Sequence, residues 1–157
     1  MFIIRISRKA LTPHHTITPP QAMTNAPTKE KARSLDAAYS TADQIKELHD
    51  AWRIAGQEKS EEIEEDARQL PASVNVRSCW VEVGSKMDAF EYRIEMSGGG
   101  PAVSIFGTID NLGYPIEPEI KHQDWFTPWE YSYNKTSQEE DATEAIEWFV
   151  SLFNFEV

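Results

Sequence analysis

The chain has 157 residues, enough for one domain and a tail, and carries a formal net charge of −11 at pH 7. The charge is divided: residues 1–35 hold six Lys/Arg against one acid, Glu30, while residues 36–157 hold nine Lys/Arg against twenty-five Asp/Glu, a net of −16. So acidic a part repels nucleic acid and anionic membrane and attracts basic surfaces, and a single cysteine, Cys79, excludes an intrachain disulfide and a cysteine-rich zinc site.

Residues 1–40 are expected to be a basic disordered tail or an upstream extension, and residues 41–157 one acidic domain. The opening MFIIRISRKAL is interrupted by Arg5 and is too weak for a secretory apolar region. With no acid before Glu30, and with Arg, Ser and Thr present, it loosely resembles a mitochondrial presequence. Pro13, Pro19, Pro20 and Pro27, and the lack of core residues after Ile17, favour disorder instead. Met23 reads as an alternative start, and His14 and His15 as solvent-exposed. No apolar run approaches the length of a membrane span, so the expected location is the cytoplasm.

The first helix is expected to start near Thr41, where Thr41 and Gln44 fit a capping box. Ile45, Leu48 and Trp52 recur at helical spacing. Gly56 weakens or ends this helix, and Ser60 can cap a second stretch with Ile63, Ala67 and Leu70 inward, stopped by Pro71. One bent helix and a helical hairpin both fit. The outer face holds Glu58, Glu61, Glu62, Glu64, Glu65 and Asp66.

Strand patterns follow. Val74, Val76, Ser78 and Trp80 alternate with Asn75, Arg77, Cys79 and Val81, and Gly84–Asp88 reads as a turn. Phe90, Tyr92, Ile94 and Met96 form a half-buried strand. Ser97–Pro101 connects it to a third strand through Val103, Ile105, Gly107 and Ile109. Residues 116–124 make a fourth, at an edge because Pro118 cannot donate to a ladder. Ser137 and Glu140 cap a last helix with Ala142, Ala145, Ile146, Phe149, Leu152 and Phe153 on its apolar face. The expected fold is α+β: a four-stranded antiparallel meander flanked by an N-terminal helix or helical hairpin and a C-terminal helix.

No catalytic constellation is complete. The Gly98-Gly99-Gly100 run lacks the Lys-Ser/Thr and the following helix of a phosphate loop. His122 and Asp124, near Glu117 and Glu119, lack the converging ligands of a metal site. Cys79 reads as a small buried strand residue, and no serine elbow exists. No catalytic residue, metal ligand or cofactor is assigned. The most distinctive stretch is Asp124–Tyr133, with five aromatics around Pro128. It reads either as a partner-binding loop or as a lid in which Trp125 and Trp129 cover the sheet edge. Its few cations argue against direct nucleic-acid binding.

The segments Gly99–Val103, Gln123–Trp129 and Ala145–Phe155 lie in a part, residues 74–157, that resembles small uncharacterised proteins of bacterial phages, plasmids and integrated elements. The resemblance carries no activity and no site residue. It implies a mobile-element setting, in which small acidic proteins, anti-CRISPR and antirestriction proteins among them, counter host defence.

The leading expectation is therefore an acidic protein-binding module. It engages a basic protein surface, of the kind found in nucleic-acid-processing complexes, by presenting carboxylates in place of phosphates. The expected contacts are Glu61, Glu62, Glu64, Glu65 and Asp66, with Trp125, Trp129 and Tyr131 as anchors. Two alternatives stand beside it: a small hydrolase or modifying enzyme using His122 and Asp124, and an accessory domain whose acidity serves only solubility.

Overall fold

The computed structural model describes residues 29–125, 127–131 and 140–155. Helix α1 spans Lys29–Ile54 and helix α2 Gln57–Arg68. The first helix thus begins well before Thr41. Residues 29–40 contain mostly good helix formers, and Ser34 and Ala38 share one buried face with Ala42, Ile45 and His49. Ser34 and Ala38 are 1% and 0% exposed, so the folded part includes residues expected in the tail. Thr41 is no cap: its hydroxyl donates to the Ala37 carbonyl at 3.0 Å, a bond made one turn back inside the helix. The presequence likeness, Met23, His14 and His15 lie outside the described residues.

The helix ends at Ile54, and Gly56 in extended conformation is the N-cap of α2. Ser60, expected as that cap, lies inside the helix, where its amide donates to the Gly56 carbonyl at 2.9 Å. The two helices fold back on each other. Trp52 Nε1 donates to Glu64 Oε1 at 3.0 Å, whereas on one straight helix those residues would sit about 18 Å apart. The helix pair, rather than one bent helix, is what forms.

The expected meander is present: β1 (Ser73–Arg77), β2 (Glu91–Ser97), β3 (Ala102–Ile109) and β4 (Pro115–Gln123) pair antiparallel in chain order. A two-residue strand, β5 (Glu130–Tyr131), adds to β4 opposite Lys121 and His122. Pro118 falls where β3 and β4 slip register, beside Glu117 at φ 55°, so it interrupts no regular ladder. Helix α3 spans Glu140–Ser151; Ser137, its expected cap, lies outside the described residues.

Strand alternation sets the two faces. Tyr92, Ile94, Val103, Ile105, Ile109 and Ile120 point to the helices and meet Ala38, Ile45, Ala145, Phe149 and Val150 in one core. The architecture is a two-layer α+β sandwich, with the opposite sheet face left uncovered by helix. Strand β1 stops at Arg77, opposite Glu91, the first residue of β2. Residues 78–90 therefore continue without the regular ladder that the alternation suggests. Trp80 is fully exposed, and Cys79 is exposed rather than buried, because neither has a strand or helix to pack against.

Candidate binding surfaces

Helix α2 packs inward through Ala67, which is fully buried, and turns Glu58, Glu61, Glu62, Glu65 and Asp66 to solvent. Residues three and four apart on a helix lie about 5–6 Å from one another, so these carboxylates form a closely spaced row. Glu58, Glu61, Glu62 and Asp66 have no ion-pair partner among the described residues. Glu64 departs from the expected set. It is half-buried, accepting from Trp52 and, through Oε2, from Arg68 Nη2 at 3.0 Å. Glu65 also faces Arg68, at 3.6 Å, but remains exposed. The same outer layer carries Asp43, Glu47 and Asp50 on α1 and Glu144 and Glu147 on α3, all exposed. The hydrogen bond from Lys46 lowers the Asp50 carboxyl below its usual range.

Beneath this layer, His49 lies between Trp52 and Trp148, with ring centroids 5.9 and 5.3 Å away. Burial is the largest influence on it and holds its pKa below 6.5, against an opposing pull from Glu144.

The uncovered sheet face is a different surface. A groove of about 1000 Å³ runs across it, lined among others by Arg77, Glu91, Arg93, Glu95, Phe106 and Lys121. Trp129 meets Phe106 edge-on at 5.2 Å, and the Arg93 guanidinium lies 6.0 Å from the Phe106 ring and 5.9 Å from the Trp129 ring. Lys121 Nζ sits 5.0 Å over Phe106. The cations are matched by acids: Arg77 with Glu91, Arg93 with Glu95 at 3.0 Å, and Lys121 with Glu119 at 3.1 Å. Charge balance of this kind gives the groove no strong preference for an anion.

The expected aromatic anchors are therefore not gathered beside the α2 carboxylates. Trp129 belongs to the open sheet face, and the sheet stands between it and the helices. Trp125 is exposed and lies against Gly100, where any Cβ would collide with its indole ring; this close approach is why the hairpin needs glycine there. Tyr131 lies in β5 opposite Lys121.

His122 is neither on a solvated edge nor in the groove. It is 3% exposed and faces the helix layer, its Nδ1 2.9 Å from Ser34 Oγ on α1. Asp124 bonds locally instead: its Oδ1 accepts from the Trp125 amide at 2.7 Å, and its carbonyl from the Thr127 hydroxyl at 2.9 Å. Among the described residues no three His, Cys, Asp or Glu side chains converge as a metal site would need.

Sequence reading missed Ser34, Arg93 and Phe106. Ser34 gives no signal at all, since its partner is far along the chain. Phe106 does give one: it is an aromatic residue out of phase with Val103, Ile105 and Ile109. Comparison of the chain with known protein families, curated proteins and solved structures finds no match. Among the described residues no helix is long and apolar enough to cross a membrane.

Proposed function

We propose that this chain is an acidic protein-binding module that engages a basic protein surface through α2. The observation that supports the reading is the row formed by Glu58, Glu61, Glu62, Glu65 and Asp66. It is exposed, unneutralised over most of its length, and carried on a helix held by Ala67 and the Trp52–Glu64 bond. Fixed, closely spaced negative charge resembles a run of phosphates to a cationic groove. It also accelerates encounter with that groove by long-range attraction.

In this reading the partner belongs to a cytoplasmic nucleic-acid-processing complex, and the chain inhibits it by occupying its nucleic-acid site. A mobile-element setting would make that an anti-defence role. The proposal rests on α2 alone; Trp125, Trp129 and Tyr131 are not required for it. The hydrolase expectation gains nothing from the geometry, because His122 is buried against Ser34 and Asp124 is engaged in its own turn.

The test is charge reversal. With Glu61, Glu62, Glu65 and Asp66 all changed to Lys, association at low salt should slow by roughly ten- to a thousandfold and lose its salt dependence. Folding should change little, since these side chains are exposed and only Glu65, facing Arg68, loses an ion pair. Unchanged association at low salt would refute the proposal.

A further inference from the structure

We propose that the free edge of β1 is a self-association site, where two copies of this chain join β1 to β1 in a continuous antiparallel sheet. The inference is independent of the proposed function of α2.

Strand order places β1 at the outside of the sheet, and among the described residues it pairs with β2 only. An outermost strand presents a row of unpaired amides and carbonyls, and natural proteins usually protect such a row with proline, lysine, a bulge or a covering element. Strand β1, with the sequence SVNVR, has no proline, no lysine and an uninterrupted register with β2. Val74 and Val76 stand opposite Ile94 and Tyr92, on the face that packs against the helices further along the sheet. Yet they are 40% and 38% exposed, because the helix layer does not reach β1. The connection that follows adds Trp80 and Val83, both fully exposed, with Val81, Met87 and Phe90 also open. Exposed apolar side chains on an edge strand that, among the described residues, has no covering element mark an interaction surface.

A second copy fits this edge because its pattern is self-complementary. In the antiparallel register that pairs all five residues, Val74 meets the second copy's Val76 and Asn75 meets Asn75. Ser73 meets the second copy's Arg77. The β-branched pairs are favourable cross-strand neighbours, and no like charges are brought together. The two-fold axis is perpendicular to the sheet, as an isologous edge-to-edge contact requires. Each face therefore maps onto itself, and both helix layers lie on one side of the joined sheet.

Sedimentation equilibrium on the full chain tests this. The wild type should approach twice the chain mass of 17.9 kDa as concentration rises. Val76→Lys should return it to the single mass with far-UV circular dichroism unchanged, as suits an exposed position, and its melting temperature should no longer rise with protein concentration as the wild type's does. In a Cys79→Ser background, Asn75→Cys should oxidise to a covalent dimer and Ser73→Cys should not, which fixes the register. A wild type that stays at the single mass overturns the proposal, and so does a wild type that grows beyond a dimer. A dimer that survives Val76→Lys, or one whose Asn75→Cys form will not cross-link, places the seam elsewhere and equally overturns it.

Discussion

Gly107→Ala would put a methyl group where the Tyr92 ring already lies. The two residues are direct partners across β2 and β3. A Cβ at position 107 would overlap the Tyr92 hydroxyl and Cζ and come within 2.6 Å of Cε1. The ring has little room to retreat: Tyr92 is buried, and its ring packs against that of Phe155, tilted by 33° with the centroids 4.7 Å apart. Overpacking of a well-filled core costs about 1–3 kcal/mol. Relief of glycine's backbone entropy returns about 0.5–1 kcal/mol, leaving a net loss near 1–2 kcal/mol. For a domain of this size that is a melting temperature lower by roughly 2–8 °C. Urea unfolding followed by tryptophan fluorescence would read the loss as a shifted midpoint with unchanged slope. Tyr92→Phe supplies the control. The Tyr92 hydroxyl has no hydrogen-bond partner among the described residues, so its removal should be neutral or slightly stabilising. In the double variant part of the loss should return, with a coupling of about 0.5–2 kcal/mol. Wild-type stability in Gly107→Ala, or a loss that Tyr92→Phe leaves untouched, would refute the packing argument.

Three further outcomes follow from the same packing. His49 has a folded pKa held below 6.5 by burial, so the unfolded chain takes up its proton first and stability should fall as pH drops through 6.5. Urea midpoints between about pH 7.5 and 5.5 should show this slope, and His49→Gln should flatten it. Trp52→Phe removes the hydrogen bond to Glu64 while Arg68 still holds that carboxylate; the expected loss is about 1 kcal/mol in urea unfolding, and no loss would mean the bond does not tie the helix pair together. Cys79, exposed in the loop after β1, should react with a maleimide in the native protein nearly as fast as in denaturant. A protected thiol would contradict the description of that loop.

The meander and the last helix were legible because period-two alternation, glycine and proline punctuation, and a wide apolar helical face are all local signals. The start of α1 was not. Its buried stripe begins with Ser34, Ala38 and Ala42, small side chains that allow close approach to the sheet but barely register as hydrophobic. The end of β1 was hidden for a related reason. Alternation continues through Ser78 and Trp80, but strand length is set by where β2 begins to pair, and nothing near Trp80 records that. The acidity of α2 was visible in its composition, whereas the diversion of Glu64 to Trp52 depends on two helices folding back. The Ser34–His122 contact joins elements far apart in the chain, so neither residue announces the other. Trp125 and Trp129 drew attention as neighbours in sequence, yet one lies against the Gly100 hairpin and the other on the open sheet face.

The most direct test of the α2 reading is a comparison of what the immobilised full chain and its Glu61→Lys, Glu62→Lys, Glu65→Lys, Asp66→Lys variant recover from a cell lysate, identified by mass spectrometry at low and high salt. The expected result is a basic nucleic-acid-processing protein retained by the wild type at low salt, released as salt rises, displaced by added duplex DNA or RNA, and absent from the variant. Equal recovery by both proteins, or retention that neither salt nor nucleic acid disturbs, would contradict the account.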